Sequence, residues 1–174
     1  DRDAGNTSFE FDPETVDAFE AGLKWSSSDR TLDISTDLFY SMFSDYQINQ
    51  FDGVAFTTTN AAKVKSTGVE LGISWLPLPD LMIDGGVTWS NTEFDGEHNI
   101  DTNLDDESNV GSHTLVNARI GLRTDDENWE LTLWGKNVFQ EEYRTIQFPS
   151  PLQQGSWSAF RGEPRMYGVS LRYM

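Results

Sequence analysis

Short polar turns alternate with long polar connections along this chain, and the segments between them are apolar on one face only. Residues 26–30, 76–80 and 124–128 are short turns, whereas 49–62, 91–112 and 145–162 are long and polar. This alternation constrains the fold strongly. Backbone polar groups in lipid must be paired internally, so only helices and closed barrels cross a bilayer. A meander of strands crossing back and forth puts every second connection on the same side, short at one end and long at the other, which is the pattern of outer-membrane barrels.

The segments themselves have period two. Leu32, Ile34, Leu38, Tyr40 and Met42 share one parity, and Asp33, Ser35, Asp37, Ser41 and Asp45 hold the other. That is strand spacing, not the 3.6 of a helix. The same alternation recurs around Phe19–Trp25, Val69–Trp75, Leu81–Trp89, Val116–Leu122, Trp129–Leu133 and Tyr167–Tyr173, which predicts about seven strands. Phe39 and Phe43 break the polar parity and are expected to point into a lumen or against a partner, and Trp134 is an exception to the alternation of its own strand. Pro77 and Pro79 each remove an amide donor, so no ladder is expected to run through 76–80.

A soluble β-sandwich would alternate too, because one sheet face packs and the other is wet. The aromatic residues separate the two readings. Trp25, Trp75, Trp129 and Tyr173 fall on the apolar face at the short-turn end of their strands. An amphipathic ring prefers headgroup level, so these four are the expected membrane-interface girdle. A carbohydrate- or ligand-binding sandwich remains the alternative, in which the same rings fill a core.

Charge narrows the partners. With 12 Lys+Arg against 29 Asp+Glu the formal charge is −17, which excludes the basic face a nucleic-acid partner needs. Much of the acid lies in one stretch with Asp95, Glu97, Asp101, Asp105, Asp106 and Glu107. It reads as a solvated loop, with a divalent cation or cationic ligand as the sharper alternative. It lacks the Asp-x-Asp-x-Asp-Gly pattern of an EF-hand loop, and the scattered glycines form no phosphate-binding fingerprint. There is no cysteine, hence no disulfide or thiolate site. No stretch approaches the roughly 20 apolar residues of a transmembrane helix, and a mean hydropathy of −0.52 hides a lipid face made of alternate residues. His98 and His113 are the only histidines; Ser112 adjoins the second, so a Ser/His/Asp set can be drawn, but such sets are recognised by geometry. An outer-membrane enzyme is therefore a third reading, and no catalytic residue, cofactor or metal ligand is assigned.

Several stretches in order resemble the C-terminal part of TonB-dependent outer-membrane receptors. They are Phe11-Asp12-Pro13-Glu14-Thr15-Val16-Asp17-Ala18-Phe19-Glu20-Ala21-Gly22-Leu23-Lys24, then Asn60-Ala61-Ala62, Gly68-Val69-Glu70-Leu71 and Trp75. Asn117-Ala118-Arg119-Ile120-Gly121-Leu122, Trp134-Gly135-Lys136-Asn137-Val138-Phe139 with Glu142-Tyr143, and Gly162-Glu163-Pro164-Arg165 complete the set. The resemblance implies a wide barrel with an N-terminal plug in the outer membrane of a Gram-negative bacterium. Such a barrel imports a scarce nutrient, a siderophore, cobalamin or a glycan, with energy passed through TonB. The expected fold is thus all-β: an antiparallel meander of about seven strands forming part of a transmembrane β-barrel over residues 1–174. Neither plug nor TonB-contacting segment is recognised here, and position 175 would continue the outward parity of Tyr167–Tyr173, so the chain is expected to be a fragment cut just short of its end. Its expected partners are outer-membrane lipid, the plug and the remaining strands, with TonB reached only through the missing part. Cargo contacts are expected from the long loops, above all Phe148, Trp157 and Phe160 beside Gln153, because loops on a rigid scaffold commonly carry function.

Overall fold

The computed structural model describes residues 12–51, 56–95, 111–149 and 156–174. These form nine strands: β1 Thr15–Ser26, β2 Leu32–Phe51, β3 Phe56–Leu78, β4 Leu81–Asp95, β5 Gly111–Arg123, β6 Trp129–Lys136, β7 Arg144–Pro149, β8 Trp157–Arg161 and β9 Met166–Tyr173. Seven of them make one antiparallel sheet in the order β1-β2-β3-β4-β5-β6-β9, and β7 and β8 pair by themselves. The fold is the all-β meander of seven strands that the alternation implies.

Two expectations need correcting. The long connections are shorter than their polarity suggested. The ladder of β2 and β3 continues through Ile48↔Thr59, Asn49↔Thr58 and Gln50↔Thr57 to Phe51↔Phe56, because β-branched threonines favour strand whether or not their neighbours are apolar. Likewise β7 and β8 occupy a stretch read as a loop. The proline turn also carries more ladder than expected. Leu78 pairs with Leu81 after a register shift beyond Trp75, and the Leu76 amide donates to the Thr31 carbonyl at 2.7 Å. The chain accommodates Pro77 as an irregularity in the strand, not as its end.

The first and third short turns are built alike. Ser27 N–H donates to Leu32 O and Thr124 N–H to Trp129 O, at 2.8 and 3.0 Å. Asp29 accepts from the Ser27 hydroxyl and from the amide and hydroxyl of Thr31. Asp126 accepts from the Thr124 hydroxyl and from the amide and side chain of Asn128. Arg30 and Glu127 both take φ 58°. Asp side chains that replace backbone partners in this way nucleate turns. The hydrogen bonds from Ser27 and from Thr124, respectively, hold the Asp29 and Asp126 carboxyls below their ordinary range. Their contribution to folding is therefore present above the unfolded pKa and is lost as pH falls through the lower folded value. Amide exchange at Thr31 and Asn128 should accelerate, relative to the neighbouring ladder, only below about pH 4. Protection that is constant down to pH 2 would contradict the assignment.

These turns fix the register. The hairpins pair Trp25 with Ile34, Trp75 with Ile83 and Leu122 with Leu131, each two positions beyond the nearest apolar residues past the turn, Leu32, Leu81 and Trp129. A shift of two preserves the face. The row Leu32–Trp75–Ile83–Ile120 crosses four strands in register. Measured from that row, the turn closures Ser27·Leu32, Leu78·Leu81 and Thr124·Trp129 lie successively two residues lower. One residue per strand, at a rise of ~3.3 Å and a strand spacing of ~4.8 Å, corresponds to strands tilted by about 35° from the axis if the turns lie level. That tilt falls in the range of barrels.

The two faces differ in chemistry. One carries Phe19, Leu23, Leu38, Leu71, Ile73, Ile120, Leu133, Val169 and Leu171, all exposed. Val64 is the one apolar side chain buried among the described residues. No second sheet covers this face among them, so the sandwich reading lacks the packing it requires. From Val69 to Leu78 the apolar side of β3 spans about 30 Å along the strand, hence about 25 Å along the axis, the height of a barrel's lipid band. The other face holds Ser26, Asp33, Ser74, Asp84, Arg119, Trp134 and Gly168 in one register row across all seven strands. Along that row Ser26 donates to Asp33 at 2.5 Å, Ser74 to Asp84 at 2.8 Å, and Arg119 pairs with Asp84 at 3.0 Å. Lys24, opposite Ser35, shares this face with Asp33 two pairs away.

Candidate functional site

The aromatic residues gather where parity placed them. Trp25 lies two pairs above the first turn closure, Trp75 next to the bulge at the second, and Trp129 closes the third. Trp129 and Tyr173 oppose each other with ring centroids 4.9 Å apart. All four are exposed on the apolar face, Tyr173 at 67%.

Two of the three rings that break the polar parity sit on glycines of the neighbouring strand. Phe39 covers Gly68, and a Cβ added there would meet the ring at 2.2 Å; Trp134 covers Gly168 at 2.6 Å. The sequence offered the aromatic half of each pair but not its glycine, because the partner depends on register. The rings are thus spent on the wall itself.

The long-loop end of β6 is held by Asn137. It is 4% exposed and takes φ 46°. Its amide donates to Asn117 Oδ1 at 3.0 Å, its Nδ2 donates to the carbonyls of Glu141 and Glu163 at 2.8 and 3.0 Å, and its Oδ1 accepts from Glu141 N–H at 2.8 Å. One side chain therefore ties the outgoing and returning chains together. Sequence reasoning missed this role. The only signal was an Asn directly after a strand, a residue type that tolerates the left-handed region. Tyr143 makes a second tie. Its carbonyl accepts from Gly162 N–H at 2.9 Å, its ring covers Gly162, and it stacks on His113 with centroids 4.6 Å apart and planes 9° apart. His113 Nε2 lies 3.2 Å from Ser90 Oγ. Ser112, its neighbour in β5, points to the opposite face, so the Ser/His pairing drawn from adjacency does not form.

Of the loop candidates, Phe148 lies in β7 opposite Ser158, Trp157 in β8 opposite Pro149, and Phe160 opposite Ile146. Phe160 is 59% exposed. Gln153 lies outside the described residues, as do His98 and the acidic stretch from Glu97 to Glu107. Among the described residues no group of three or more His, Cys, Asp or Glu is placed to hold a metal. A cleft opens at the base of the hairpin, lined by residues 140–144 and by Ala159 and residues 161–164.

A tilted antiparallel meander, apolar and exposed on one face, polar on the other, with tight turns at one end, is part of a transmembrane β-barrel wall. The family model described as "TonB dependent receptor-like, beta-barrel" matches residues 2–107. The chain belongs to this family, whose members are outer-membrane β-barrel proteins of Gram-negative bacteria. Among solved structures, the FrpB iron transporter from Neisseria meningitidis (F3-3 variant) superposes with a TM-score of 0.62 at 16% identity, covering 92% of this chain and 23% of that one. The pyoverdine outer membrane receptor FpvA from Pseudomonas aeruginosa PAO1, bound to pyoverdine, gives 0.57 at 14%, covering 91% and 23%. The ferric yersiniabactin uptake receptor FyuA from Yersinia pestis gives 0.50 at 18%, covering 92% and 30%. At these identities the likeness is one of fold, and the chain spans under a third of each relative's length.

Proposed function

We propose that residues 1–174 are the C-terminal segment of the barrel of an active-transport receptor. This receptor imports a scarce nutrient across the outer membrane with TonB-supplied energy. The observation that carries the reading is the exposed apolar face, about 25 Å tall along β3, backed by a polar row from Ser26 to Arg119. In the whole protein the apolar face meets lipid, with Trp25, Trp75, Trp129 and Tyr173 at one interface. The polar face, with Glu20, Asp37 and Glu70, meets a plug. Asp37 stands directly opposite Glu70, and like charges so placed cost stability unless a cation answers them. The chain transports and does not catalyse. Its cargo is a chelate, a cobalamin or a glycan, and iron relatives such as FrpB favour the first.

Deleting the gene should abolish uptake of one such cargo and leave the others intact, and the protein should fractionate with the outer membrane. A protein recovered in the aqueous fraction without detergent would overturn the reading. Phe148, Trp157, Phe160 and Gln153 are proposed to contact cargo, since aromatic faces beside amides suit an amphipathic ligand. Deleting residues 150–158 from the full receptor should then lower cargo binding at normal surface levels; unchanged binding and uptake would remove the loop from the site.

A further inference from the structure

We infer that Arg172 is a charge key at the seam of the barrel. It takes a carboxylate from the strand that closes on β9, and so selects the register of closure. This inference rests on the reading of residues 1–174 as the C-terminal barrel segment and extends it to the strand that neighbours β9 in the whole protein. Among the described residues β9 has β6 on one side and no neighbour on the other. That flank cannot stay open in lipid, because backbone polar groups there must be paired. A strand therefore lies along it, and the residue opposite each β9 position has its Cβ about 5 Å away.

On the polar face, Arg123, Glu130 and Arg172 stand in one register row across β5, β6 and β9. The signs alternate, with one carboxylate between two guanidiniums. That carboxylate is already committed: Oε2 of Glu130 accepts from Arg123 at 3.3 Å and Oε1 from the Thr132 hydroxyl at 3.2 Å. Arg172 is exposed, and its guanidinium makes no hydrogen bond or ion pair among the described residues. It feels Glu130 only at longer range. Two other inward positions of β9 are taken up by β6, since Trp134 covers Gly168 and its Nε1 donates to Ser170 Oγ at 3.3 Å. Arg172 is the one charged residue that β9 offers on this face.

In a sheet, opposite charges directly across a pair are favourable and like charges unfavourable. The alternation therefore continues with Asp or Glu on the closing strand. Such a pair distinguishes what parity cannot. A slip of one residue would turn the apolar side of that strand to the lumen, but a slip of two keeps both faces. A carboxylate displaced by two would face Ser170 in place of Arg172. A wet ion pair adds little stability, so its use lies in the choice of register.

The test uses the full-length receptor carrying Arg172→Lys, treated with a water-soluble carbodiimide, which joins an amine to a touching carboxylate as an amide. Peptide mass mapping should show the β9 peptide linked to one Asp or Glu of the barrel's first strand. Linkage to the plug, to Glu130 alone or to nothing would overturn the inference. So would linkage to a strand that follows residue 174, the one result that also counts against the C-terminal placement. A second readout uses charge reversal. R172E should lower the temperature at which the barrel loses its heat-modifiable gel mobility, and by more than R172Q does. Reversing the mapped carboxylate to Lys in the R172E protein should recover part of that shift. No recovery would assign the loss to repulsion from Glu130 and overturn the seam pairing. Import is tested separately by the gene deletion, and its failure would leave both seam readouts unchanged.

Discussion

Arginine in place of Ile73 is expected to destabilise the intact barrel by about 2–4 kcal/mol. Ile73 sits on the apolar face between Ile34 and Gly85, midway along the stretch from Val69 to Leu78, so a guanidinium there would lie near the bilayer midplane. The same change at Leu131, two pairs from the Trp129–Tyr173 rim, should cost about 0–1 kcal/mol, since the penalty falls toward the interface. The polar-face control is Ser170, which is exposed. Thr132 has the same parity but is unsuitable. It is 6% exposed and its hydroxyl donates to Glu130 at 3.2 Å, so an arginine there would be crowded whatever the surroundings of the barrel. Refolding into lipid vesicles under a denaturant gradient measures all three. Equal losses at Ile73 and Ser170 would refute the lipid-facing assignment.

Alanine at Gly68 is expected to cost about 1–3 kcal/mol, the usual penalty for overpacking. The added carbon would meet Phe39 Cζ at 2.2 Å and the Trp89 carbonyl oxygen at 2.6 Å. The ring can move but the carbonyl belongs to the ladder, so adding Phe39→Ala should restore only part of the loss. Gly162→Ala differs, because the three nearest atoms all belong to the Tyr143 ring; here Tyr143→Ala should relieve the clash while loosening the hairpin base. A neutral Gly68→Ala in the same refolding assay would show that the wall tolerates displacement at this joint.

These effects also mark what could be read from residues alone. Parity needs only a strand and a single buried or lipid-facing side, so the two faces, the place of Trp25, Trp75, Trp129 and Tyr173 on the apolar one, and the inward turn of Phe39 were legible. Register was not. The first and third hairpins close through four-residue loops that Asp29 and Asp126 organise by side-chain bonds, which parity does not encode. The glycines beneath Phe39 and Trp134 are consequences of register and so were hidden with it. The β7–β8 hairpin was hidden for another reason: outside the apolar band nothing obliges a strand to alternate, and a polar two-stranded ribbon looks like a loop.

That ribbon also bears on how the wall comes together. Every ladder of the main sheet joins strands adjacent in sequence except β6 with β9, whose first pair, Lys136↔Met166, spans thirty positions. Contacts of long sequence separation are slow to form because chain entropy must be surrendered before they reward it. Pairing Arg144 with Arg161 first cuts across that span and roughly halves the chain left to close, which is worth about 0.6 kcal/mol of closure entropy. Asn137, which grips both arms, shortens it further. A β7–β8 hairpin formed first would thus shorten the loop that the last strand has to close.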